Sequence, residues 1–188
     1  MSGGLDMYWM IIGAALVLIF TIFMYNRFVR QRNILDEAWS GIDVQLKRRH
    51  DLIPNIVETV KGYAKHEKTV LEEITHLRSR LSGPASMKEK GELENNFSQA
   101  LKSIFALAEA YPDLKANQNF IDLQRILTET EEQIQLARRY YNGAARNYNT
   151  MVESFPNNLV AKVFGFNKAD FFEIELATER AAPEVQFN

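Results

Sequence analysis

The chain contains no cysteine, which removes disulfides, thiolate metal sites and thiol nucleophiles at once. Histidine is almost as scarce, with three copies at positions 50, 66 and 76. His66 adjoins Glu67, but no second histidine follows at helical spacing, so the zinc-protease helix motif is missing. Ten residues of helix would separate His66 from His76 by roughly 15 Å, too far to share a metal. Glycine and proline are few, and neither the Walker pattern nor the dinucleotide fingerprint occurs. There is no marked charge imbalance either. A net charge of −2 provides no field for nucleic acid, and the clusters Arg48-Arg49-His50 and Ala137–Asn142 stand outside any basic domain. Glu129, Glu131 and Glu132 lie in a polar helical stretch and read as a solvated face. No catalytic, metal or cofactor-binding residue is therefore assigned, and no nucleic-acid partner is expected.

One long hydrophobic run is present, and it organises the rest. Met7 to Tyr25 is free of charge, and at ~1.5 Å per residue it covers roughly 28 Å, close to the hydrocarbon thickness of a bilayer. Tyr8 and Trp9 at one end and Tyr25 at the other put amphipathic rings at headgroup level. Met1–Asp6 has no basic side chain and no Ala-x-Ala follows the run, which argues for a span over a cleaved signal peptide. Arg27, Arg30 and Arg32 follow immediately, with Lys47, Arg48 and Arg49 beyond, so the positive-inside rule puts the N-terminus outside and the bulk of the chain in the cytoplasm. Tyr8, Trp9, Tyr25, Arg27 and Arg30 are the expected anchor residues.

After the span the pattern is helical. Leu35, Trp39, Ile42, Leu46, Arg49 and Ile53 recur at steps of three and four, and Ile56, Val60, Tyr63, Glu67, Val70, Ile74, Leu77 and Leu81 continue the spacing. Pro54 leaves two readings, a kinked continuous helix or a new helix capped by Asp51. The unbroken register favours the kink. Ser82-Gly83-Pro84 stops the rod, and Ser86 three residues before Glu89 forms a capping box that opens the next helix. That helix carries Leu93, Phe97, Ala100, Ile104, Leu107 and Tyr111 and ends at Pro112-Asp113. A last rod starts near Asn117 or Asn119 and runs from Phe120 to Phe155, with Thr130 as its polar member. Three long rods with short connections predict an all-α fold: a single transmembrane helix continuing into an antiparallel up-and-down bundle of three long helices, or four if Pro54 divides the first. The expected divisions are 1–26 for the lead and span, 27–155 for the bundle and 156–188 for an amphipathic segment and tail.

Two stretches suggest contacts. An unbroken helix from the anchor to Leu81 would be about 112 Å long, against about 39 Å for the helix from Ser86 to Tyr111. Unless the last helix or the tail reaches back, neighbouring copies would cover the stalk stripe, so Leu35, Trp39, Ile42, Asp43, Leu46 and Arg49 form a candidate oligomer interface. Arg49 and Glu67 each place a charge on an apolar ridge and require solvent, a partner on another helix or a partner subunit. In the last segment Leu159, Val163, Phe164 and Phe166 form an apolar patch beside Lys162 and Lys168. It either caps the bundle end or touches a bilayer surface or partner groove. Phe171, Phe172, Ile174, Val185 and Phe187 make an apolar tail.

The strings RNILDEAWSGIDVQLKRRHDLIPNIVETVKGYAKHE, EAYPDLKANQNFIDLQRILTETEEQIQLARRYYNGAARNYN, ESFPNNLVAKVFGF and ERAAPEVQF closely resemble the LemA family from about Tyr25 to the end. The resemblance implies a bacterial inner-membrane protein with an N-terminal anchor and a helical bundle, and no established enzymatic activity. It also implies relatives needed for building magnetosome membranes, and members often encoded beside a membrane zinc protease. The expected function is a self-assembling, non-enzymatic membrane scaffold, with an adaptor of a membrane protease as the alternative. Membrane lipids, further copies of the chain and a membrane protease are the partners so implied.

Overall fold

The computed structural model describes residues 3–173, with side chains from residue 7 onward, and every regular element among them is a helix. The elements are α1 (Gly3–Asp51), α2 (Ile53–Tyr63), α3 (Lys68–Leu81), α4 (Met87–Ala108), α5 (Pro112–Lys115), α6 (Gln118–Glu153) and α7 (Asn157–Phe164). The all-α class is as expected. Of the apolar tail, Ile174, Val185 and Phe187 lie outside the described residues.

Two compact units divide the chain, one of Met1–Gly41 with Arg139–Phe171, the other of Ile42–Arg138 with the stretch that begins at Phe172. In the second unit the first rod is broken twice, which corrects the reading of one continuous helix to Leu81. At Leu52 the helix only steps: Pro54 sits in the first turn of α2, where its missing N–H would be unpaired anyway, and Ile56 N–H still bonds to Leu52 O. The true reversal falls at Ala64–Glu67, where Ala64 leaves helical geometry and α3 returns along α2. Arg78, near the end of α3, donates from Nε to His50 O at 3.0 Å, which fixes that return. The bundle thus gains its fourth rod ten residues beyond Pro54. The return shifts the register as well, because Leu71 is buried where Val70 was expected, and Tyr63 is exposed.

Local signals account for the other boundaries. Ser86 and Glu89 form the predicted capping box, and the Ser86 hydroxyl and amide hold the Glu89 carboxyl below its ordinary range. Asn117 Oδ1 accepts from Phe120 N–H at 3.1 Å and starts α6. Ile53, Ile56 and Val60 from α2, Ile74 and Leu77 from α3, and Phe97 and Ile104 from α4 join Leu114, Phe120 and Leu127 in one core. Each such side chain contributes roughly 1.5–3 kcal/mol on burial. Thr130, the polar member of the α6 stripe, is buried but bonds to Ile126 O at 2.7 Å within its own helix.

In the first unit α1 is exposed on every described side from Met7 to Phe20, and burial begins at Met24 and Phe28. After α6, α7 ends at Gly165, whose φ of 73° suits the left-handed cap, and Phe166 N–H bonds back to Ala161 O. An extended segment then runs back along α6. Asn149 clamps it, donating to Ala169 O at 2.9 Å and accepting from Ala169 N–H at 2.8 Å, while the Tyr141 hydroxyl donates to Asp170 O at 2.9 Å. Burial, then the carboxylates of Asp170 and Asp36, pushes the Tyr141 phenol up, so it stays a donor at neutral pH. Asn149→Ala removes both clamp bonds and is expected to cost about 1–3 kcal/mol, because it leaves partly buried backbone groups unpaired. Faster amide exchange over residues 166–171 checks this; unchanged exchange there would show that the clamp holds nothing.

Candidate functional site: the anchor end and a buried ion cluster

The residues expected to anchor the chain divide by exposure. Tyr8 and Trp9 are exposed at one end of the apolar run, and Arg27 and Arg30 at the other. Tyr25 is not free: its ring meets Phe164 edge-on at 5.1 Å and Phe166 at 5.7 Å. One turn on, Phe28 is fully buried, stacked on Phe166 at 4.7 Å and edge-on to Tyr148. The aromatic patch is therefore split. Phe166 packs against α1, whereas Leu159, Val163 and Phe164 remain exposed, and so does Phe155, which the sequence reading had placed on the α6 stripe.

The stalk stripe needs no neighbouring copy, which corrects the candidate oligomer interface. In the first unit Leu35 is buried and Trp39 packs edge-on against Tyr141 of α6 at 5.6 Å. In the second unit Ile42, Leu46 and Arg49 are buried, and Asp43 pairs with Lys90 at 2.7 Å. A 36-residue α6 supplies the length that the α4 rod lacked. The chain's own return fills the seam, and with it goes the reason for assigning these residues to an assembly.

Arg49 is the centre of a cluster in the second unit. One guanidinium nitrogen bonds to Glu94 of α4, and the other to Glu131 of α6 and to Ser98 Oγ at 3.0 Å. The guanidinium also lies 5.0 Å from the Phe97 ring centroid. His50 Nε2 approaches the Glu94 carboxylate to 3.1 Å. Both Arg49 and Glu94 are completely buried, so they are mutually compensated charges in a low-dielectric interior. Glu94 was missed in the sequence. Its signal is the second apolar line of α4, since Glu94 stands seven residues before Leu101 and fourteen before Ala108, both buried. Glu67, the other charge on a ridge, accepts from the Tyr111 hydroxyl at 3.3 Å.

An open cleft between α2 and α3 is lined by Lys61, Lys65, Lys68, Leu71, Glu72 and His76. Thr75, whose hydroxyl donates to Leu71 O at 2.7 Å, and Ser79 complete its lining, and among the described residues no group of three or more metal-ligating side chains gathers. The geometry describes a helix long and apolar enough to cross a bilayer, and a bundle whose buried charges, Arg49 and Glu94, are paired with each other.

Comparison with known proteins agrees. A family model described as the LemA family matches residues 38–187. Protein LemA of Metamycoplasma hominis is 27% identical over an alignment of 152 positions, covering 80% of this chain and 67% of that protein. Magnetosome protein MamQ 2 of Paramagnetospirillum magneticum is 26% identical over 175 positions, covering 79% of this chain and 64% of its own. MamQ of Magnetospirillum gryphiswaldense is 23% identical with the same coverage. The chain thus spans about two thirds of the length of the relatives it matches. With the family model covering well over half of its residues, the chain belongs to the LemA family.

Proposed function

We propose that the protein is a membrane-anchored, non-enzymatic scaffold that organises membrane proteins or the membrane itself. The observation that carries this reading is the anchor: a charge-free run from Met7 to Tyr25 within α1, exposed on every side from Met7 to Phe20. A helix so exposed and apolar has no stable place in water, and lipid is its natural surrounding. The buried ion cluster supports a structural role, because Arg49, His50 and Glu94 are turned toward one another. Relatives named as magnetosome proteins fit the same reading. Arg27, Arg30 and Arg32 at the anchor's end support, by the positive-inside rule, a bundle on the cytoplasmic side of the inner membrane. The filled seam moves any assembly to other surfaces.

Affinity capture of the full-length protein from detergent-solubilised membranes tests the role. A scaffold is expected to recover several membrane proteins, or its own copies, at less than stoichiometric yield. Near-stoichiometric recovery of a single protease replaces it with the adaptor reading, and hydrolytic turnover abolished by a point change replaces both. Because the chain has no cysteine, a single one at exposed Glu109 reads topology: an impermeant maleimide is expected to label it only after lysis, and labelling of intact cells would reverse the orientation.

A further inference from the structure

Outside the anchor, exposed large apolar side chains are scattered, as Val44, Tyr63 and Ile121 are, or form a single pair one turn apart, as Leu136 and Tyr140 do on α6. Around α7 they gather. Phe155 is 79% exposed, Leu159 58%, Val163 77% and Phe164 48%, and the first three recur every four residues. Val160 and Ala161 on the same short helix are buried, so α7 already spends one face on the bundle and offers a second apolar face outward. Lys162 flanks that face and is exposed.

The position of α7 decides what could cover it. Its last residue, Phe164, touches the Tyr25 ring, and its first, Asn157, borders a cleft with Arg27 and Gln31. The whole helix therefore lies at the level of residues 25–31 of α1, a band of about 9 Å along the axis. Met7 to Tyr25 occupies roughly 28 Å, which fills the hydrocarbon core and leaves Tyr25 among headgroups. The apolar face of α7 is thus held where the anchor leaves the bilayer, with Arg27, Arg30 and Lys162 at headgroup level beside it.

We propose that α7 and the preceding Phe155 form a second membrane contact, a short amphipathic helix seated in the interface of the leaflet from which α1 emerges. Phe155, Leu159, Val163 and Phe164 enter the acyl boundary, and Lys162 with Arg27 and Arg30 faces anionic headgroups. A lipid surface is the occupant because the apolar face continues the apolar surface of the anchor through Tyr25. Two contacts, α1 and α7, fix the attitude of the first unit to the bilayer. The inference rests on the anchored reading above.

Depth measurements on the full-length protein in vesicles of phosphatidylcholine and phosphatidylglycerol test it. Single cysteines replace Leu159 or Val163, with Ile19→Cys inside the span and Glu109→Cys in water as references, and each carries an environment-sensitive fluorophore. Labels at 159 and 163 are expected to emit at shorter wavelength than at 109, and to be quenched by lipid-borne nitroxide at least twofold more. Quenching at 19 with none at 159 and 163 overturns the α7 contact and leaves the anchor standing. Absence of quenching at 19 overturns both. Short-wavelength emission at 159 without lipid quenching, accompanied by crosslinking between copies, assigns the face to a second copy and likewise overturns the proposal.

Discussion

Arg49→Met is expected to lower the stability of the second unit by about 3–5 kcal/mol, a large part of what an ordinary domain has in reserve. The loss comes less from the vanished attraction than from what stays behind. Glu94 is completely buried, and without the guanidinium its carboxylate loses its paired cation and keeps, among the described residues, the contact with His50. Glu131 suffers less, because its side chain is 37% exposed and can return to water. A double replacement, Arg49→Met with Glu94→Leu, is expected to recover most of the loss, since a well-packed apolar pair in place of a buried ion pair is often neutral or better. Denaturant melts of the full-length protein in detergent, comparing the single variants with the double, make the check. If Arg49→Met costs less than about 1 kcal/mol, Glu94 has reached solvent and the cluster is not closed.

The same cluster shows how far the residues could be read in advance. A stripe with alternating steps says that a face will be covered, and every rod marked in that way is a helix. It does not say which chain does the covering. Arg49 on the ridge left three fates open, and the one realised, with partners on α4 and α6, depended on Glu94, whose place on a second apolar line is visible only by counting in sevens from Leu101 and Ala108. Boundaries with their own chemistry were legible: the Ser86–Glu89 box, and Asn117, one of the two asparagines offered for the start of α6. At Pro54 the less favoured of the two readings holds, a first-turn proline, with Leu52 and not Asp51 at the N-cap. The reversal at Ala64–Glu67 was not legible, because Ala-Lys-His-Glu has neither glycine nor proline and the N-cap Glu67 makes no side-chain cap bond. Tertiary packing of α3 on α4 and α2 made that choice. The clamp by Asn149 was equally hidden, since a side-chain amide in mid-helix reads as surface until the returning segment is placed against it.

Phe28→Ala carries the second large effect, about 3–5 kcal/mol, by the cavity left when a buried ring is removed. Phe28 is where α1 turns from a bare helix into a packed one, four residues after Met24, and it joins Phe166 of the chain's return to Tyr148 of α6. Its loss should therefore be local before it is global, with amide exchange rising first across α7 and Phe166. Leu159→Ala provides the contrast in the same detergent melts, since that side chain is more than half exposed and the change should stay within about 0.5 kcal/mol. Should the two variants melt alike, Phe28 is not the keystone of the anchor end. Should Phe28→Ala be strongly destabilising while exchange in α7 is unchanged, the ring stack supports α6, and α7 is held by Tyr25 and by its own buried Val160 and Ala161. The expected order follows from position: the first fully buried ring beyond the exposed run is the one that stops α7 from lifting off the helix that anchors it.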